Sequence, residues 1–187
     1  LEAGFLAIFF APWQLKPRIT KEPPPSFAIL VLYRWLVFRV MVGSAVVKIA
    51  SADGTWFPEL TSLTHFFQTQ PLPTWTAWYA HHLPEGLLKG ATAMVLLVGL
   101  ILPFFILLGR RLRLVACVGL VGLQMLILLT GNFSFYNLLG IVLCIMLLED
   151  TWLSDAWRAR FVDDTRPGPV PLRLRLTQVV GLIVIIP

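Results

Sequence analysis

Apolar residues run along this chain in long blocks separated by short polar punctuation, and the blocks can be measured against a bilayer. Crossing about 30 Å of hydrocarbon takes about 20 residues at a rise of about 1.5 Å each. Four blocks approach that length: residues 27–49, 87–108, 112–130 and 133–148. The last is the shortest and is expected to begin within the interface or to cross with little tilt. Residues 1–10, ending at Ala11-Pro12, read as the tail of an earlier helix, and residues 176–187 as the start of a later one. Pro23-Pro24-Pro25 ahead of Phe27 marks the entry to the first block, because proline fits a first helical turn and blocks extension backwards. The fold class that follows is all-α: a polytopic transmembrane helical bundle of about four complete spans, with partial helices at both ends. The chain opens at Leu1 and closes inside an apolar run, so residues 1–187 are expected to be a fragment of one transmembrane domain.

Composition sharpens this picture. Hydrophobic residues make up 57% of the chain and charged residues 13%, against about 45–50% and about 25% in soluble domains. So few charges would cover a water-soluble globule thinly, which leaves membrane lipid as the expected surroundings. A net charge of +5 raises the question of nucleic acid, but no Lys/Arg-rich run is interleaved with stacking aromatics, and no nucleic-acid partner is expected. Placement of the basic residues explains the excess instead. Lys16, Arg18 and Lys21 precede the first block, residues 49–86 contain no Lys or Arg, and Arg110, Arg111 and Arg113 fill the next connection. The Gly131-Asn132 turn has none, and Arg158, Arg160, Arg166, Arg173 and Arg175 follow the last block. Short cytoplasmic loops collect Lys and Arg. The alternation therefore predicts an outer, lumenal or periplasmic loop over 50–86 and a cytoplasmic connector over 149–175, stiffened by Pro167-Gly168-Pro169-Val170-Pro171.

Cations inside the first block need their own account. A charged side chain near the centre of a membrane helix costs at least about 2.5–3.5 kcal/mol. Counted from Phe27, Arg34 lies about 10 Å in, Arg39 about 18 Å in and Lys48 near the far end. Arg34 and Lys48 can snorkel to opposite interfaces. Arg39 is the deep one, and no acidic residue lies within the four blocks to pair with it. Neutral partners such as Gln124 or Asn137 make it either a hydrogen-bonding hub between helices or a site for an anionic or polar group.

The 50–86 loop holds all three histidines, His65, His81 and His82, together with Trp56, Trp75 and Trp78. Its tryptophans are of the kind that sit at headgroup depth, so the loop is expected to lie along the outer face of the membrane. The histidine spacing matches no recurring ligand pattern, and no metal or other cofactor is expected. Cys117 and Cys144 lie within apolar blocks and read as packing residues, not as a disulfide framework or redox pair. Asn132 and Asn137 flank the turn after the third block, where asparagine caps and turns are common. Asn132-Phe133-Ser134 also fits the acceptor pattern for glycosylation.

Several strings in family order carry a resemblance. They are Phe38-Arg39 through Lys48, then Asp53 and Trp56, then Gln68-Thr69-Gln70-Pro71-Leu72-Pro73-Thr74, then Trp78-Tyr79-Ala80-His81-His82-Leu83-Pro84. Downstream come Pro103-Phe104, Gly109-Arg110-Arg111 and the stretch from Gly131 to Asn137. Together, over residues 1–150, they resemble the lipase maturation factor family, and the Gln-Pro-Leu-Pro to His-His-Leu-Pro block is the most specific part. The resemblance implies a chaperone-like integral membrane protein that helps secreted lipases fold and assemble. It would lie in the endoplasmic reticulum of a eukaryote or the cytoplasmic membrane of a bacterium. That family's long soluble C-terminal portion, implicated in handling clients, is not in this sequence. A fainter similarity, in the Gly43-Ser44-Ala45-Val46-Val47-Lys48 string followed by Asp53 and Trp56, is to the membrane domain of vitamin K-dependent carboxylase and its relatives. It implies an enzyme with Lys48 as base; on that reading Arg39 and His65 or His81 are expected to bind an anionic substrate and to line one cavity with Lys48. A third reading is a structural membrane subunit whose polar groups only lock helices together.

Overall fold

A computed structural model of the chain describes residues 2–11, 26–131, 133 and 135–148. The described residues form seven helices: α1 (Glu2–Phe10), α2 (Phe27–Ile49), α3 (Ser62–Thr69), α4 (Trp75–His81), α5 (Glu85–Leu107), α6 (Arg110–Thr130) and α7 (Phe135–Ile145). Strands are absent among the described residues, as an all-α bundle requires. The connector expected over 149–175 and the helix start expected at 176–187 lie outside the described residues.

Three of these helices, α2, α5 and α6, are long and apolar enough to cross a membrane. The first matches the expected block residue for residue. The next two begin two residues earlier than their apolar runs, for reasons local to each start. Pro84 fixes the chain ahead of α5, and Glu85 pairs with Lys89 one turn on at 2.8 Å. Gly109 releases the chain into α6, whose Arg110 and Arg111 are good helix formers. The fourth block is shorter as a helix than as an apolar run. Its 11 residues rise about 16 Å, and two further turn bonds, Met146 to Leu143 and Leu147 to Cys144, end it.

The chain divides into two compact units, Leu1–Leu36 with Leu148–Pro187, and Val37–Leu147. In the first, the Tyr33 hydroxyl donates to the Ala3 carbonyl at 3.4 Å, and the Phe10 and Tyr33 rings meet edge to face at 5.9 Å. Leu6 is fully buried there.

In the second unit, successive long helices run antiparallel. Ala45 of α2 faces Gly99 of α5, where an added Cβ would meet it at an ordinary 3.5 Å, and five residues on, Phe104 meets Phe38 edge to face at 5.2 Å. Leu102 of α5 fills the space over Gly119 of α6. On the other flank, Cys117 Sγ donates to the Cys144 carbonyl at 3.2 Å, and Gln124 packs against Gly140. Small residues matter at these crossings because lipid supplies no hydrophobic drive between apolar helices, so close backbone approach must supply the attraction. Both cysteines are buried packing residues with free thiols.

Candidate functional site

Two groups of expected site residues are brought together at one end of the second unit, where α2 and α6 end: Lys48 with Asp53 and Trp56, and Gln70, Pro71 and Pro73 against the end of α6. Helices α3 and α4 lie there, and both are too short to show as apolar blocks in the sequence. Their signals were slight: Thr61 and Thr74, each a residue type that starts helices, stand just ahead of them. Only Thr74 uses its side chain so, its hydroxyl accepting the Ala77 N–H at 3.2 Å.

Lys48 is half-buried at the last turn of α2, and its Nζ stands 4.9 Å from the centre of the Trp56 ring. A cation over an indole face is worth about 0.5–1 kcal/mol when exposed and more when desolvated. A tight turn carries the chain from one to the other. The Ser51 hydroxyl lies 2.7 Å from the Lys48 carbonyl and 3.0 Å from Asp53 Oδ1, and the Thr55 N–H reaches the same carboxylate oxygen at 3.3 Å. The hydrogen bond from Ser51 holds the Asp53 carboxyl below the usual carboxylate range. Asp53 is thus a turn-closing acceptor, and Trp56 is brought to Lys48 through it.

The Gln-Pro-Leu-Pro segment straps the end of α6. The last carbonyls of a helix have no partner within it. Gln70 Nε2 donates to the Thr130 carbonyl at 3.0 Å, the Thr74 hydroxyl donates to Leu129 at 2.8 Å, and the Thr76 hydroxyl also reaches Leu129. Pro71 and Pro73, both exposed, stiffen the chain between these contacts. Beside the strap, Phe66 stacks on Phe133 with centres 5.4 Å apart, and its ring lies against Gly131, where a Cβ would come within 3.1 Å of it. Phe66, Gln70, Pro71, Leu72 and Phe133 line an apolar recess of about 140 Å³. Lys48, Arg39 and the histidines are not among its lining residues.

The remaining expected residues are dispersed. Arg34 and Arg39 are half-buried in α2, Gln68 and His65 are exposed on α3, and Trp78 is exposed on α4. His81 is half-buried, and its Nδ1 has no hydrogen-bond partner among the described residues. His82, not singled out from sequence, holds the Trp78 carbonyl through Nδ1 at 2.7 Å while its ring lies 4.2 Å from the Trp78 ring. Asn137 is 4% exposed, and its Nδ2 lacks a partner among the described residues. Asn132 lies outside the described residues. Gln124, expected to bond a neighbouring helix, points its Nε2 at Met41 Sδ of α2 at 4.0 Å. Thr74, Thr76, Phe66 and Phe133 do structural work that sequence spacing does not disclose, since their partners lie far along the chain. At this end Trp75, Trp78 and Tyr79 turn their rings outward, while Ser51, Asp53, Gln70, Thr74 and Thr76 close turns and helix ends.

The family profile described as the lipase maturation factor transmembrane domain matches residues 1–155. Lipase maturation factor 2 of Mus musculus is 44% identical over 162 residues, covering 82% of this chain and 23% of that protein. Lipase maturation factor 2 of Gallus gallus is 44% identical over 162 residues, 86% of this chain and 22% of that protein. Lipase maturation factor 1 of Mus musculus is 37% identical over 154 residues, 82% of this chain and 26% of that protein. The chain thus spans about a quarter of the length of these relatives. No solved structure shows a significant match.

Proposed function

The chain belongs to the lipase maturation factor family, within its transmembrane domain, and from that premise we propose that it is the membrane-embedded part of a factor that helps secreted lipases fold and assemble. The observation that carries this reading is the profile match over residues 1–155, which takes in the three long spans, the strap and α7. The basic residues support an orientation that suits the task. With Arg110, Arg111 and Arg113 on the cytoplasmic side, the Lys- and Arg-free stretch 49–86 faces the compartment into which lipases are secreted. That compartment is the lumen of the endoplasmic reticulum in a eukaryote and the periplasm in a bacterium.

The test separates activity from amount. Deleting the full-length gene in cells that express a secreted lipase lowers the specific activity of the lipase while its secreted or retained mass stays the same, and re-expression restores it. Unchanged specific activity in the deletion strain overturns the reading.

A further inference from the structure

Helix α4 carries its large side chains outward and its small ones inward. At about 100° per residue, positions 75, 78, 79 and 82 fall on one narrow arc. Trp75 is 91% exposed, Tyr79 69% and Trp78 60%, and His82 is exposed beside them. On the opposite arc Ala77 is 2% exposed, with Ala80 and His81 half-buried. The helix therefore packs on the protein through alanine and spends its aromatic area on the outside. Leu72, in the segment just ahead of the helix, is 70% exposed as well. Residues 60–84 contain no Lys, Arg, Asp or Glu. A contiguous apolar patch of this kind marks contact with something other than water.

The strap says at what depth that contact lies. Thr74 and Thr76 hydrogen-bond the Leu129 carbonyl and Gln70 the Thr130 carbonyl, and these are the final residues of the apolar, span-length α6. So α4 is fixed at the level where a membrane-crossing helix leaves the hydrocarbon. Tryptophan and tyrosine favour that level because the ring enters the acyl boundary while the indole N–H or phenol O–H bonds to headgroups and water. We propose that the Trp75, Trp78, Tyr79 and His82 face of α4 docks on the bilayer itself, seated among the phospholipid headgroups of the leaflet at which α6 ends. Because residues 60–84 carry no Lys, Arg, Asp or Glu, zwitterionic lipid suffices for docking. The proposal rests on the membrane-spanning helices and the strap, and stands independently of the lipase reading.

Site-directed spin labelling of the full-length protein tests it. Trp75→Cys and Tyr79→Cys, each on a background without other reactive cysteines, are labelled and reconstituted in phosphatidylcholine nanodiscs without added client. Collisions with oxygen and with a water-soluble nickel complex are then compared with those of headgroup-labelled and chain-labelled lipid in the same discs. Docking gives both labels an oxygen-to-nickel ratio between those two lipid standards, unchanged when anionic lipid is added. A ratio like that of a label free in buffer overturns the proposal by placing the face in water. Low collision rates with both reagents overturn it by placing the face against protein. Two positions on the same arc guard against one substitution disturbing the fold.

Discussion

Thr74 joins two jobs in one hydroxyl, and that makes it the most informative single side chain of the strap. It accepts the Ala77 N–H at the start of α4 and donates to the Leu129 carbonyl at the end of α6. Thr76 reaches the same carbonyl but caps nothing. Losing a helix N-cap costs about 0.5–2 kcal/mol, and a neutral hydrogen bond is worth about 0.5–1.5 kcal/mol net, less where water can replace it. Thr74→Val is accordingly expected to destabilise the protein by about 1–2 kcal/mol and Thr76→Val by less than about 1 kcal/mol. Denaturation of the full-length protein in mixed micelles measures both, with Thr74→Ser as the variant that keeps the hydroxyl. Equal costs for the two valine variants would show that the cap contributes nothing. In the sequence Gln70, Pro71 and Pro73 stand out as a motif, yet their role as a strap is hidden, because the carbonyls that Gln70 and Thr74 reach lie some fifty to sixty residues further on. Asp53 and Trp56 were likewise visible as residues and invisible as a turn that returns an indole to Lys48.

At the level of elements, what the apolar pattern could and could not say divides by length. Spans of 21 to 23 residues announce themselves through sheer continuity, and α2, α5 and α6 fall within two residues of their runs. Helices α3 and α4, with 8 and 7 residues, are too short to be stable alone. They exist because α3 packs on α5 and α4, the strap holds α4 to the end of α6, and Phe66 of α3 stacks on Phe133; such tertiary causes leave little periodic signal. The α6 to α7 crossing depends on one absent side chain. A Cβ on Gly140 would stand 3.0 Å from Gln124 Nε2, so the amide must yield to anything larger than hydrogen. Overpacking of this kind costs about 1–3 kcal/mol, and Gly140→Leu is expected to fall in that range. Shortening the neighbour should relieve it. In a double-mutant cycle, Gln124→Ala combined with Gly140→Leu is expected to recover about 0.5–2 kcal/mol relative to the sum of the single variants. Simple additivity would mean that Gln124 moves aside freely and that the crossing is not set by this pair.

For the molecule as a whole, charge placement and helix length must agree on which connections share a side. Helices α2 and α5 run antiparallel, as Ala45 against Gly99 and Phe38 against Phe104 require, and only the two residues 108–109 separate α5 from α6. The 50–84 connection and the end of α6 therefore lie at one end of the bundle, in keeping with the strap bonds between them, and the Arg110-Arg111 turn lies at the other. Arg113 is committed to that turn, donating through Nε to the Ile106 carbonyl at 3.2 Å and through Nη2 to Leu108 at 3.3 Å, which closes the end of α5. Arg110 and Arg111 are exposed there, and the proposed orientation puts them in the cytoplasm, where positively charged connections collect. Cysteine placed at Glu59, exposed in the turn after α2, is expected to react with a membrane-impermeant maleimide added to the non-cytoplasmic side of sealed vesicles carrying the full-length protein. Cysteine placed at Arg111 is expected to react only once the vesicles are opened. Reaction of both from one side would contradict a membrane crossing by α5, whereas a clean exchange of sides would leave the bundle intact and overturn the orientation drawn from the arginines. The first outcome would turn on the length and apolarity of α5, the second on the placement of charge.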